Sequence, residues 1–174
     1  MQKNVLIRNA DYRDYQSLCE IFAQANAEHC KMRPDLYRGV EVAIPPLKYR
    51  LAIWARNVFG HQPVSLQVAE HEGRNVGAVF VQSLSRSSLS WSAFEKEAYL
   101  DNVVVVPDFR RQGIGSALLK SAQEWAKSTG HTHMWGKIIN KNDASLALFG
   151  KAGFSADSSN VGLHLSLANI KPHR

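Results

Sequence analysis

Arg110-Arg111-Gln112-Gly113-Ile114-Gly115-Ser116 is the stretch of this chain best suited to holding an anion. It leads from Pro107-Asp108-Phe109 into a leucine-rich helical pattern. A helix N-terminus carries unpaired N–H groups and the positive end of the helix dipole. Gly113 and Gly115 put no side chain between a ligand and that backbone. Arg110 and Arg111 add cations at the same rim. The chemistry is that of a pyrophosphate cradle; the plainer alternative is a strand–helix turn whose glycines serve geometry alone. A dinucleotide fingerprint needs a third small residue where Leu118 stands. A Walker loop needs Gly-Lys-Ser/Thr, which is absent.

The elements around the loop follow from periodicity. Ala98 to Val106 reads as the strongest strand, and the run Val103 to Val106 predicts cover on both faces. Ser116 to Lys127 predicts a helix burying Leu118, Leu119, Ala122, Trp125 and Ala126. Val5 to Arg8 reads as a first strand, and Asp11 caps a helix with Leu18, Ile21, Phe22 and Ala25 on one face. That pattern weakens from His29 to Pro45, and a second helix begins near Pro46 with Leu47, Leu51, Trp54 and Val58 as its stripe. Val64 to Ala69 and Val76 to Val81 form a hairpin across Gly73. Ser83 to Lys96 reads as a loop, His133 to Ile139 as a strand, Asn142 to about Ala152 as a capped helix ended by Gly153, and Val161 to Leu167 as a last strand. The order is βααβββαβαβ, a mixed sheet flanked by helices in the α/β or α+β class. No break divides residues 1–174, so one domain is expected.

The net charge is +6, yet the basic residues form no single run, so an anionic small ligand is expected rather than nucleic acid. Cys19 and Cys30 read as reduced core thiols. The first residues are too little apolar for a signal peptide, and no apolar run approaches ~20 residues. A cytoplasmic protein with no membrane span is expected. His131 and His133 lack a third ligand, so no metal site is expected.

Arg110-Arg111-Gln112-Gly113-Ile114-Gly115 resembles the Arg/Gln-x-x-Gly-x-Gly/Ala signature of the GNAT acetyltransferases. Asn142-Asp143-Ala144-Ser145, Phe149 and Gly153-Phe154 resemble that family's downstream Asn-x-x-Ala…Tyr…Gly-Phe segment, with Ser145 at the usual Ala. Gly73-Arg74-Asn75-Val76-Gly77 resembles the turn between its second and third strands. The resemblance runs from Val5 to Leu167 and implies the GNAT acyl-CoA N-acyltransferase fold, whose fourth and fifth strands splay apart around acetyl-CoA. By the same resemblance, the Val103-Val104-Val105 strand bonds the pantetheine arm. Arg110, Arg111, Gln112, Gly113, Ile114, Gly115 and Ser116 surround the pyrophosphate, Asn142 contacts the arm, and Phe149 packs on it.

The implied reaction moves acetyl from acetyl-CoA to a primary amine of a small molecule or peptide. The family's usual acid is a tyrosine on the last helix; Phe149 stands there and has no proton to give. Tyr99 is the candidate replacement. Asp101 stands where some polyamine-type members carry a substrate-facing carboxylate, and strand periodicity puts it on the Tyr99 face as base or substrate anchor. Glu28 and His29 end the first helix, which borders the acceptor site in this family, and Trp91 and Phe94 are loop aromatics near it. An acyl-CoA-binding protein without efficient turnover is the alternative. A homodimer is compatible with the resemblance, though no residue marks one.

Overall fold

The computed structural model describes residues 4–35, 64–85, 96–156 and 162–166. The expected second helix, with Trp54, and the loop aromatics Trp91 and Phe94 lie outside those residues.

The strands are β1 (Leu6–Asn9), β2 (Val64–His71), β3 (Arg74–Ser85), β4 (Lys96–Val105), β5 (His133–Lys137), β6 (Ser155–Ala156) and β7 (Gly162–Ser166). The helices are α1 (Tyr15–Met32), α2 (Ile114–Ser128) and α3 (Asp143–Lys151). The sheet order is β1-β2-β3-β4-β5-β7-β6. β4 and β5 run parallel and the other described pairs antiparallel. A parallel pair needs a crossover, and α2 supplies it. Leu118, Leu119, Ala122 and Ala126 are buried against β2, β3 and β4. The short β6 is an element that periodicity did not show.

α1 continues through Met32, past the point where its apolar pattern fades. Its last two turns carry Asn26, Glu28 and His29, which face a cleft instead of the core. Asp11 caps as expected, but the turn it opens is a 3-10 turn, Tyr12–Asp14, leading into α1. Asp14 is buried and accepts two bonds from Arg8, at 2.7 and 2.8 Å. Asn75 Nδ2 donates to it at 2.8 Å, and the Asp11 N–H at 2.7 Å. Arg8 also reaches Glu70 at 2.7 Å. One carboxylate therefore ties β1, the entry to α1 and the start of β3 together.

Close approach explains Gly77 on β3. A Cβ there would sit 2.8 Å from the Val104 carbonyl oxygen and 3.1 Å from Leu118 Cδ1. The first is sheet backbone and the second belongs to a fully buried side chain. Gly77→Ala is expected to cost about 1–3 kcal/mol by overpacking. A lower urea midpoint at unchanged slope is the readout; an unchanged midpoint would contradict this packing.

Candidate active site

Two irregularities in β4 make the site. The first is a bulge. Phe80 pairs with Asn102, but Val81 pairs with Leu100, so the β3–β4 register skips Asp101. A bulge re-aims side chains and sharpens local twist. The second is the early end of the β4–β5 pairing, at Leu100 opposite Gly136. From Asp101 to Val105, β4 is bordered by β3 on one edge and by a cleft on the other. The cleft measures about 1120 Å³ and is walled by α1, β4, the end of β5, the start of α2 and α3. The valine run is thus covered on one face only. Val104 and Val106 are buried, while Val103 and Val105 are half-buried in the cleft wall.

The loop into α2 is shaped by two left-handed residues. Arg111 has φ 62° and Gly113 φ 84°. An L-residue in this region costs roughly 1–2 kcal/mol, so Arg111 holds its conformation against its own preference. No side chain caps the α2 N-terminus at Gly113. The first turn closes where the Ala117 N–H donates to the Gly113 carbonyl at 3.0 Å. The N–H groups before Ala117 are left for a ligand. The two glycines differ in purpose. A Cβ on Gly113 would meet nothing within 4 Å, so its backbone conformation is what requires glycine. A Cβ on Gly115 would sit 3.2 Å from Leu148 Cδ2, so Gly115 also lets α2 approach α3.

The expected site residues largely converge. Tyr99, Asp101, Val103, Val104, Val105, Arg110, Arg111, Gly113, Gly115, Ser116, Asn142 and Phe149 all line the cleft. Gln112 and Ile114 do not: Gln112 Nε2 donates within the loop to the Asp108 carbonyl at 3.1 Å, and Ile114 is buried in the core. Only their backbone can serve a ligand. Asn142 Oδ1 caps α3 by accepting from Ser145 N–H at 3.1 Å, which leaves its Nδ2 as the donor. Phe149 is 6% exposed and packs on Phe154 with ring centroids 4.9 Å apart.

The Tyr99 ring lies against Trp135, centroids 4.6 Å apart, and Asp101 accepts from Gln82 Nε2 at 3.1 Å. Gln82 sits opposite Tyr99 in the β3–β4 register. It was not among the sequence candidates, because its place depends on that register. Lys137, at the end of β5, also lines the cleft and was missed for a similar reason. Burial pushes the His29 imidazole pKa down, against an opposing pull from Glu28. His29 is thereby favoured in its neutral, proton-accepting form. His131 lies elsewhere, buried between Ser83, Thr129 and the Ala126 carbonyl, while His133 reaches Thr132. Cys19 and Cys30 are both free thiols.

Sequence comparison agrees with this architecture. The Acetyltransferase (GNAT) family model matches residues 24–154, well over half of the chain, and the chain belongs to that family. It is similar to an aminoglycoside N(6′)-acetyltransferase type 1 from Klebsiella aerogenes, 36% identical over 80 residues, 42% of this chain and 53% of the relative. The chain spans between about a fifth and about half of the length of the first curated relatives it matches. Among solved structures, a Bacillus halodurans protein superposes with a TM-score of 0.77 at 20% identity, covering 89% of this chain and 96% of that one. The PaiA N-acetyltransferase of Thermoplasma acidophilum, in complex with coenzyme A, superposes with a TM-score of 0.70 at 17% identity, covering 94% and 99%. At these identities the structural likeness shows the fold alone. Among the described residues, no helix is long and apolar enough to cross a membrane.

Proposed function

We propose that the protein is an acetyl-CoA-dependent N-acetyltransferase acting on a primary amine of a small molecule or peptide. The observation that carries this reading is the junction of a strand edge that has left its β5 partner, Asp101 to Val105, with an uncapped helix N-terminus at Gly113, inside one cleft. The edge suits an extended amide-bearing arm, which can bond to it as an added strand. The helix N-terminus suits the pyrophosphate at the end of that arm. Small-molecule sites commonly span ~300–1,000 Å³; a cleft of about 1120 Å³ has room for a long ligand.

Each residue then has a task. Backbone N–H groups from Arg111 to Ser116 hold the pyrophosphate, and Arg111 adds a cation to the same cleft. Val103, Val104 and Val105 present the strand edge, Asn142 Nδ2 meets the arm, and Phe149 gives it an apolar wall. When bound, acetyl-CoA supplies the activated acyl carbon. A neutral amine nitrogen bonds to that carbon, the carbon–sulfur bond breaks, and the amine's proton must leave. Asp101 takes this proton or anchors the ammonium, with His29 as a second acceptor on the facing wall. Tyr99 supplies the hydroxyl that protonates the departing sulfur. This work calls for neither a metal nor a nucleic acid, and a cytoplasmic setting is consistent with it.

A panel of aminoglycosides, small amines and N-terminal peptides, followed by thiol release, tests the reading. Acetyl-CoA binding with no release above hydrolysis for any amine would favour an acyl-CoA-binding protein without turnover. Buried Phe149, at the position of the usual tyrosine, is the feature that favours this second reading. For the enzyme, Asp101→Asn is expected to lower kcat/KM on the order of 100-fold at neutral pH. Acetyl-CoA affinity should be unchanged in that variant. A loss below about tenfold would remove Asp101 from the chemistry.

A further inference from the structure

The two arginines of the glycine loop are held differently. Arg111 lines the cleft, and no hydrogen bond or ion pair holds its guanidinium among the described residues. Arg110 is engaged twice. Its Nε donates to the Val105 carbonyl at 2.9 Å, and its Nη2 to Glu28 Oε1 at 2.7 Å. Glu28 lies 82 positions earlier, in the last two turns of α1. The same stretch presents Asn26 and His29 to the cleft. One guanidinium fork therefore crosses from the end of β4 to the α1 wall, directly beside the pyrophosphate loop.

We propose that Arg110 is a positioning residue, a strap that couples the last two turns of α1 to the glycine loop through Glu28, and is not itself an anion ligand. The proposal rests on the acetyl-CoA reading of the cleft. Arg110 keeps an extended backbone directly beside left-handed Arg111, so a ligand that fixes the loop also fixes the root of the strap. A fork with two bonded prongs transmits that constraint, whereas a single flexible ammonium cannot make both bonds. By linkage, the coupling runs both ways: order at the end of α1 favours an ordered loop, and a ligand on the loop orders the α1 wall.

Amide hydrogen exchange on the full chain, with coenzyme A as the probe, tests the coupling without any acceptor. Saturating coenzyme A is expected to slow exchange at residues 29–33 about fivefold in the wild type, and less than about twofold in Glu28→Gln. Arg110→Lys should lose the protection as Glu28→Gln does, and the double variant should be no worse than either. Protection retained in Glu28→Gln would overturn the strap. So would an Arg110→Gln variant that loses more than about tenfold in coenzyme A affinity while Glu28→Gln loses none, because Arg110 would then be an anion ligand. Calorimetry separates the two levels. No binding of coenzyme A to the folded wild type overturns the functional reading and the strap together. Binding without differential protection overturns the strap alone.

Discussion

Gly113→Asp is expected to abolish measurable acetyl-CoA binding while the protein remains folded. Gly113 sits at φ 84°, and a Cβ there would meet no atom within 4 Å. The cost to the fold is therefore conformational, about 1 kcal/mol. In a chain of this size that lowers the melting midpoint by roughly 2–4 °C. The cost to binding is far larger. The new carboxylate would stand at the helix N-terminus, where a pyrophosphate needs to be. Two like charges ~4 Å apart at an effective dielectric near 20 repel by about 4 kcal/mol. Each ~1.4 kcal/mol is tenfold in affinity, so a loss on the order of 100-fold or more follows even after screening. Gly113→Ala separates the causes. It carries the conformational cost without the charge, and should lose less than about tenfold. Equal losses in both variants would mean that loop shape, and not anion binding, is what Gly113 protects.

The second large effect lies far from the cleft. Asp14→Ala should lower stability by about 3 kcal/mol, the lower end of the range for breaking a buried ion pair. The lower end applies because Arg8 is 28% exposed and keeps Glu70 as a partner. The midpoint should fall by roughly 6–12 °C. The effect depends on pH. Burial pushes the Asp14 carboxyl up, but bonds from Arg8, Asn75 and the Asp11 N–H outweigh it and hold the pKa below the ordinary 3.8. A folded-state pKa below the unfolded one stabilises fully above the ordinary value, and that stability is lost as pH falls through the folded pKa. Asp11, paired with Arg13, titrates at about 2 and falls in the same acid range. The gap between wild type and Asp14→Ala should be widest near neutral pH and narrow from about pH 4 downward. A gap that stays constant into acid would mean that Asp14 contributes shape and not charge.

The parts of the site that could be read from sequence are those made by neighbours along the chain. The valine strand, the glycine loop and the α2 stripe occupy one continuous stretch, so their local periodicity and turn chemistry pointed to a candidate cradle before any fold was known. Asn142 was legible for the same reason: a cap and its helix are adjacent. What escaped depends on register or on distant pairing. The Asp101 bulge exists only relative to β3, as does the place of Gln82 opposite Tyr99. Arg110 looked like a second cation for the ligand, because nothing near it in sequence announces Glu28. The end of α1 beyond His29 looked like loop because the apolar repeat fades there, although the helix runs on to Met32. Asp14 drew no notice, since an acid after a cap is ordinary. Its partners Arg8 and Asn75 arrive from two different strands.

The central claim is that the split between β4 and β5 and the Gly113 helix start together form an acetyl-CoA site. Calorimetric titration of the folded wild type with acetyl-CoA tests it most directly. The account predicts one site per chain with Kd below about 100 µM, or roughly −5.5 kcal/mol. The absence of saturable heat would contradict it. The +6 charge would then be a reason to test nucleic acid, whose affinity falls steeply as salt is raised.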